Sequence, residues 1–271
     1  LFIPAIELAH KHGLPVAVHV EGLINAKAAI RAGANVLVHG VLRDAVDNEF
    51  VDLAKKHNII YMPTLSAQER YIDVFSDTMK FSSHEIKHSH PDIISSFEQA
   101  NLQINKADTM FQMIRKYMPY VNATQEKLSK LKPKEQGIVA QLSDMFSDKV
   151  TLIQQINLKR MFDEGITMAL GTDAGNPGTL HGGSMLIEMM AWRQAGIPLE
   201  AILSAATLNN AKVTKDEHEI GSVEVGKFAD LIILSKNPLA AVENFKSINT
   251  VIKQGNVLTI EAIEKHLIEL N

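Results

Sequence analysis

The amino-acid sequence predicts an α/β fold organised around a parallel β-sheet. Short apolar segments alternate with helical patterns of about ten residues, which is the order typical of βαβ units. Two neighbouring apolar segments carry a histidine at their ends, His19 and His39, and a later one stops at the Gly-Thr-Asp-Ala-Gly turn that contains Asp173. Because parallel strands place their carboxyl ends at the same edge of a sheet, we expect these polar residues to lie together.

The composition is that of a globular protein and narrows the function classes. The chain has 271 residues, of which 46% are hydrophobic and 21% charged, and its formal net charge of −4 provides no basic surface for nucleic acid. No apolar run approaches the roughly 18 residues that indicate a membrane span. The absence of cysteine excludes disulfides and cysteine-ligated zinc, so any metal site must use histidine and carboxylate.

The first part of the chain alternates regularly between the two kinds of element. Its periodicity predicts helices at residues 4–12, 23–32 and 47–57, and strands at 14–20, 34–39 and 59–65. The chain opens without methionine inside an amphipathic pattern, so we expect it to begin in the middle of a domain.

The alternation of strands and helices stops at residues 66–147, where the sequence predicts a helical insertion. Helical patterns cover residues 67–79, 92–117, 124–131 and 134–145, and the segment is too long and too apolar for a connecting loop. We interpret it as a lid or a partner surface above the strand ends. A helix at 148–164 then leads to the strand at 166–170.

The last part of the chain predicts helices followed by a small β unit. A Met-rich helix at 184–195 is followed by a helix from Pro198, and we interpret Met185, Met189 and Met190 as core filling. Short strands are expected at 222–225, 229–234, 247–253 and 257–259, with a terminal helix at 260–270. We therefore divide the chain into a main portion at residues 1–215 and a small domain at 216–271.

His19, His39 and Asp173 form the candidate metal site. Imidazole and carboxylate are the ligands of catalytic divalent metals such as zinc. A lone buried histidine is more often a satisfied core residue, and an aspartate in such a turn often acts only as a cap. Two histidines at equivalent strand ends favour the metal interpretation.

Other polar residues are weaker candidates. His84, His88 and His90 imitate a metal motif, but their polar surroundings favour a solvated patch. Glu21 fits a loop or helix-terminal charge slightly better than a substrate contact. His181 lies just after the Asp173 turn, and the sequence supports about equally a substrate-binding role and a loop position without a function.

Taken together, the motifs resemble the amidohydrolase superfamily, in its branch of imidazolonepropionase-like enzymes and metal-dependent prolidases. The matching segments are Val-Ala-Val-His at 16–19, Val-His-Gly at 38–40, Met-Pro-Thr-Leu at 62–65, Ala-Leu-Gly-Thr-Asp-Ala-Gly at 169–175, His-Gly at 181–182, Ala-Ala-Thr-Leu-Asn-Asn-Ala at 205–211 and the stretch at 220–231. The resemblance implies a (β/α)₈ TIM-type barrel with a small β-sandwich. The four predicted strands would then be barrel strands five to eight, and Asp230 would hold a structural position.

The resemblance also implies a mechanism and a ligand set. His19 and His39 would bind one metal, and Asp173 would bind a second and shuttle the proton while a metal-activated hydroxide attacks. The cofactor would be one or two divalent ions, with zinc as the default and manganese, iron or cobalt also fitting. The expected reaction is hydrolysis of a C–N bond in a small molecule or dipeptide, with dipeptidase or prolidase activity as the first choice; a homo-oligomer stays open.

The sequence departs from the family pattern in one large respect. The His-x-His of strand one and the carboxylated Lys or Glu of strand four have no counterpart, and we expect them upstream of Leu1. The chain would then be the C-terminal part of the enzyme, with unpaired sheet edges at 15–20 and 166–170. One alternative is a truncated or degenerate member without activity alone. Another is a cyclic-amide hydrolase or deaminase, although the spacing of Glu21 from His19 argues weakly against a deaminase.

Overall fold

A four-stranded parallel sheet forms the centre of the computed structural model, which describes residues 2–103 and 109–269. Its strands are β1 (Ala17–His19), β2 (Val36–Val38), β3 (Ile60–Met62) and β4 (Thr167–Met168), and they lie side by side in chain order. All three pairings are parallel. The predicted α/β fold with a parallel sheet is confirmed.

Helices α1 (Phe2–Lys11), α2 (Leu23–Arg31) and α3 (Asn48–Lys56) connect and flank the first strands. The start of α3 is fixed by Asp47, whose side chain accepts a hydrogen bond from the Phe50 amide at 2.9 Å. Phe50, Leu37 and Tyr61 are fully buried in the main core, which therefore joins the helices to the sheet.

The segment between β3 and β4 is helical, as predicted. It contains α4 (Leu65–Phe75), α5 (Ser83–Lys87), α6 (Pro91–Gln103), α7 (Thr109–Tyr117), a 3₁₀ turn (Met118–Tyr120), α8 (Gln125–Leu128), α9 (Pro133–Phe146) and α10 (Asp148–Asp163). The helix expected at 92–117 is described as two, α6 and α7, and residues 104–108 lie outside the described residues. Helix α5 was not predicted; it begins with a capping box between Ser82 and Glu85.

This helical segment has a hydrophobic cluster of its own, separate from the main core. Its buried members are Phe75, Tyr117, Met118, Val121, Val139, Leu142 and Phe146. They come from α4, α7, α9 and the turns between these helices. Leu65 of α4 and Leu158 and Met161 of α10 belong instead to the main core, so these two helices tie the segment to the sheet.

Helices α11 (Ser184–Gln194), α12 (Leu199–Ala206) and α13 (Leu208–Thr214) follow β4. The methionine prediction is only partly right, because Met189 is buried and Met190 packs against the core while Met185 is 37% exposed. Helix α13 was not predicted, and it covers the outer edge of β4. The Asn210 side chain donates to the Leu170 carbonyl at 3.0 Å and accepts from the Leu170 amide at 3.1 Å.

A second, antiparallel sheet contains β5 (Leu231–Leu234), β6 (Ile248–Lys253) and β7 (Asn256–Thr259), and α14 (Ile260–Glu269) follows it. A 3₁₀ turn at Val242–Lys246 precedes β6. The strand expected at 222–225 is wrong: Val223 and Val225 are exposed and pair with no described strand. Asp230 accepts a hydrogen bond from the Gln254 amide at 2.7 Å and so braces the turn between β6 and β7. Nowhere in the described ranges is a helix both long and apolar enough to cross a membrane.

Candidate functional site

His19, His39 and Asp173 lie together at the carboxyl edge of the parallel sheet. The rings of His19 and His39 are in edge contact, with their centroids 4.7 Å apart. His39 Nδ1 is 3.8 Å from Asp173 Oδ2. The structure therefore brings together the three residues that the strand ends indicated.

Two of these residues have a backbone conformation that is uncommon for residues other than glycine. His39 and Asp173 have φ angles of 70° and 55°, in the left-handed region. The Asp173 turn is held by its own carbonyl, which accepts hydrogen bonds from Thr179 Oγ1 at 2.9 Å and Asn176 Nδ2 at 3.2 Å. Strain of this kind persists where surrounding contacts impose it, and it is concentrated at functional sites.

The surroundings of His39 favour a neutral imidazole with one nitrogen lone pair available. Burial lowers the pKa of His39, Asp173 opposes this shift, and His19 adds to it. His39 Nδ1 is 2.9 Å from Thr64 Oγ1. In the tautomer whose Nδ1–H donates to Thr64, Nε2 keeps its lone pair, which is the arrangement usual for a metal-bound histidine.

His19 is much more open to solvent than His39. Its side chain is 71% exposed, and its Nε2 lies 4.0 Å from Glu21 Oε1. Glu21 in turn forms an ion pair with Arg43 at 3.2 Å. Glu21 therefore links His19 to a cation at the rim of the site.

A cavity of about 250 Å³ adjoins these residues. Its wall combines the strand ends with polar side chains from α4 and α10, and none of the lining residues is Lys or Arg. The lining consists of His19, Glu21, His39, Leu42, Thr64, Ala67, Gln68, Tyr71, Gln154, Asp173 and Asn176.

Tyr71 connects the helical segment to the Asp173 turn. Its hydroxyl donates to Asn176 Oδ1, and its ring stacks on Phe75 with centroids 6.0 Å apart. Burial raises the pKa of Tyr71, and the nearby Asp173 and Glu21 raise it further. The hydroxyl therefore stays protonated and serves as a donor.

Comparison with known proteins identifies the family. Residues 3–258 match the sequence model described as the amidohydrolase family. The chain belongs to the amidohydrolase family. The resemblance inferred from the motifs is confirmed.

Individual relatives agree with this assignment but are longer than the chain. The chain is 33% identical to the imidazolonepropionase of Brevibacillus brevis over 114 residues, which is 41% of this chain and 27% of that protein. It is 38% identical to the imidazolonepropionase of Symbiobacterium thermophilum over 116 residues, or 42% of this chain and 27% of that one. A crystal structure of a Xaa-Pro dipeptidase with bound methionine in its active site shares the fold, with a TM-score of 0.61 and 24% identity over 95% of this chain. The chain spans 48% of that structure.

The amidohydrolase family is generally metal-dependent, and the residues at the strand ends fit a metal by type. Two imidazoles and a carboxylate form a usual donor set for a divalent ion. Within residues 2–103 and 109–269, however, no three His, Cys, Asp or Glu side chains converge closely enough to form a ready-made site. His19, His39 and Asp173 would hold the ion.

The other histidines singled out in this amidohydrolase sequence lie outside the cavity lining. His181 is exposed, and its Cε1 lies 3.7 Å from the position that a Cβ on Gly175 would occupy. The rings of His84 and His88 are 4.3 Å apart, while His88 and His90 are exposed.

Several polar residues of the site were missed by the sequence analysis. Thr64 could have been predicted, since it lies two residues after the end of β3. Gln68, Tyr71 and Gln154 lie on helices, where no periodic signal separates them from ordinary surface or core positions. Glu188 was missed as well; it is fully buried on α11 and supports the start of α4.

Proposed function

We propose that β1–β4 are strands five to eight of a (β/α)₈ TIM-type barrel within residues 1–215. The order of the four parallel strands supports this assignment. We further propose that residues 216–271 form part of a small β-sandwich. The apolar side chains that the antiparallel sheet leaves exposed support this second assignment, namely Ile232, Ile233, Val257 and Leu258.

The activity we propose is metal-dependent hydrolysis of a C–N bond in a small amide or dipeptide, with a dipeptidase or prolidase reaction as the first choice. The observation that carries the proposal is the meeting of His19, His39 and Asp173 around one cavity, with left-handed backbones at His39 and Asp173. The fold shared with a Xaa-Pro dipeptidase supports the choice of substrate.

The chain's own residues supply the positioning and the proton transfer. When bound, a divalent metal would lower the pKa of a water molecule and polarise the scissile carbonyl. Asp173 would accept the proton of the attacking water and return it to the leaving nitrogen. Its carboxylate is about one-third exposed at the cavity wall, so that it can meet both groups.

Substrate profiling with zinc, manganese or cobalt tests the proposed reaction. We expect turnover among aminoacyl-proline, aminoacyl-arginine and N-acyl amino acids, and none with aminopurines or cytosine. Turnover of the heterocycles alone would contradict a peptidase or amidase assignment.

Replacing Asp173 by asparagine tests the role of the carboxylate. We expect the catalytic rate to fall by roughly 10²–10⁴, the usual contribution of a positioned acid–base group. The fold should persist, because asparagine tolerates the left-handed conformation and the turn is held through the Asp173 carbonyl. Rate and thermal unfolding are measured on the same preparation.

Asp163→Asn is the matched control, since Asp163 pairs only with Lys159 on the surface of α10 among its described contacts. Equal rates for Asp173→Asn, Asp163→Asn and the parent chain would refute the proton-transfer role of Asp173.

A second candidate is hydrolysis of a cyclic amide. The imidazolonepropionases at 33% and 38% identity favour it, although they match only about two-fifths of the chain. Hydrolysis of a cyclic amide would use the same proposed metal ligands and the same proton transfer by Asp173. Turnover of imidazolone propionate, with no turnover of dipeptides, would select this candidate.

A further inference from the structure

The Asp173 carboxylate lies at the cavity wall without a hydrogen bond to hold it there. Among the described residues none donates a hydrogen bond to this carboxylate, and His39 Nδ1 is 3.8 Å from its Oδ2. The direction of the side chain is therefore set by the Asp173 backbone, whose φ angle of 55° lies in the left-handed region. Contacts that fix this backbone also fix where the carboxylate points.

The Asp173 backbone is fixed through its carbonyl oxygen. This oxygen accepts hydrogen bonds from Thr179 Oγ1 at 2.9 Å, from Asn176 Nδ2 at 3.2 Å and from the Asn176 amide at 3.3 Å. The carbonyl belongs to the peptide plane that follows the Asp173 Cα, so these bonds restrict the ψ angle of Asp173. Asn176 supplies two of the three bonds.

Tyr71 of α4 selects the orientation of the Asn176 side chain. The Tyr71 hydroxyl donates to Asn176 Oδ1, which leaves Nδ2 facing the Asp173 carbonyl. If the amide were turned by 180°, its oxygen would face that carbonyl, and two acceptors would oppose each other. The contacts thus run from the Tyr71 hydroxyl through the Asn176 amide to the Asp173 backbone.

The Tyr71 ring is anchored in the helical segment. Its centroid lies 6.0 Å from that of Phe75 and 5.7 Å from that of Phe146. Both phenylalanines are buried members of the hydrophobic cluster of this segment. The position of the Tyr71 hydroxyl therefore depends on how the helical segment is packed.

A close approach between the turn and α4 allows this contact to form. Gly178 has a φ angle of 82°, and a Cβ on it would lie 2.9 Å from Arg70 Cβ and 3.1 Å from Val74 Cγ2. A residue with a side chain would be strained in this conformation and would also meet the helix. The approach brings Asn176, two residues before Gly178, within reach of Tyr71.

We propose that Tyr71 is a positioning residue, which through Asn176 holds the Asp173 turn in the conformation that directs the carboxylate to the cavity. Proton transfer by Asp173 then depends on the packing of the helical segment. The proposal rests on the proposed function in one respect, that Asp173 transfers the proton. Tyr71 acts through Asn176 and needs no contact with the substrate.

Hydrogen exchange of the chain without added metal tests the positioning independently of activity. The amides of Gly175, Asn176 and Thr179 are hydrogen-bonded within the turn. Tyr71→Phe removes only the hydroxyl, and we expect these amides to exchange roughly 3–10-fold faster, the effect of losing one hydrogen bond. The amides of β3 should exchange as in the parent. Unchanged exchange in the turn, or an equal acceleration in β3, would overturn the proposal.

Tyr120→Phe is the matched control for the loss of a tyrosine hydroxyl. Tyr120 also packs against the hydrophobic cluster of the helical segment, but its hydroxyl forms no hydrogen bond with a described residue. We expect exchange in the Asp173 turn to equal that of the parent. An acceleration as large as that caused by Tyr71→Phe would overturn the proposal.

Kinetics of the zinc-loaded chain test whether Tyr71 and Asn176 act as a unit. Tyr71→Phe and Asn176→Ala should each lower kcat roughly 3–10-fold and leave KM within about twofold, because substrate binding is kept while the carboxylate is misdirected. The double variant should lose no more than Asn176→Ala alone, since both changes break the same series of contacts. Losses that multiply in the double variant would overturn the proposal.

The positioning role and the proposed activity fail separately. Faster exchange in the turn of Tyr71→Phe, without hydrolysis by any variant, would support the positioning role and contradict the proposed activity. Hydrolysis with the same kcat in the parent and in Tyr71→Phe would overturn the positioning role and leave the activity standing.

Discussion

Glu188 is a buried carboxylate that joins α11 to the start of α4. It accepts hydrogen bonds from the backbone amides of Leu65 and Ser66 at 2.9 and 2.8 Å, and from Trp192 Nε1 at 2.9 Å. Thr64, which contacts His39, directly precedes this helix start. Glu188 therefore supports, through α4, the loop that orients a proposed metal ligand.

Burial gives Glu188 a measurable dependence on pH. It raises the pKa of Glu188 to about 7 from an ordinary value of 4.5, against the opposing effect of the hydrogen bonds. Between these two pH values the folded chain holds a proton that the unfolded chain has released, so stability falls as pH rises. The full shift corresponds to roughly 3 kcal/mol at pH values above 7.

The variant Glu188→Gln should remove this dependence, because an amide does not titrate. We expect the stability difference between the parent and Glu188→Gln to change in favour of the variant as pH rises from 4.5 to about 7. Urea unfolding at a series of pH values measures it. Parallel pH profiles for the two proteins would show that Glu188 keeps an ordinary pKa.

Among single residues, those at strand ends were predictable and those on helices were not. His19, His39 and Asp173 follow apolar strands, and strand direction alone places them at one edge. Gln154 and Tyr71 reach the cavity only because α10 and α4 pack against that edge. Their neighbours in sequence give no indication of that packing.

At the scale of elements, side chains of α13 bind the backbone at the edge of the sheet beside β4, where a neighbouring strand would otherwise pair. Asn210 bonds both the amide and the carbonyl of Leu170, and Asn209 donates to the Met168 carbonyl at 2.9 Å. The sequence predicts an unpaired edge at residues 166–170, and side-chain amides occupy part of that edge in the structure. The protection lies three residues before Asp173 and so supports the turn that holds it.

Removing the Asn210 side-chain amide should lower the stability of the chain, because this amide binds the backbone at the edge of the sheet. Asn210→Ala removes the donor to the carbonyl of buried Leu170 and leaves its amide with only the Ala205 carbonyl at 3.3 Å. We expect a loss of about 1–2 kcal/mol in the free energy of unfolding. Chemical denaturation measures it. The control Asn249→Ala, at an exposed position of β6, should change stability by less than about 0.5 kcal/mol. Equal effects of the two variants would contradict the role of Asn210.

The sequence predicted the types of the secondary-structure elements better than it predicted where each element begins and ends. Alternating apolar and helical patterns identified the parallel strands and the helices between them. The strand expected at 222–225 failed because β-branched residues there alternate without a partner strand, and such pairing depends on distant parts of the chain. Helix α5 was not predicted because it is short and polar, and its capping box is its main sequence signal.

At the scale of the molecule, the cavity is shared between two structural parts. The parallel sheet contributes His19, His39 and Asp173, and the helical segment contributes Gln68 and Tyr71. The helical segment also has a hydrophobic cluster separate from the main core. This arrangement supports our proposal that residues 66–147 form an insertion above the strand ends, where their helices shape the substrate site.

The central claim is that His19, His39 and Asp173 bind a divalent metal. Isothermal titration of the chain with Zn²⁺ tests it, with His88→Ala as a control for adventitious binding at the neighbouring rings of His84 and His88. We predict that His39→Ala weakens the zinc affinity by at least about tenfold, while His88→Ala leaves it unchanged. Zinc affinity that survives His39→Ala and is lost in His88→Ala would contradict the account.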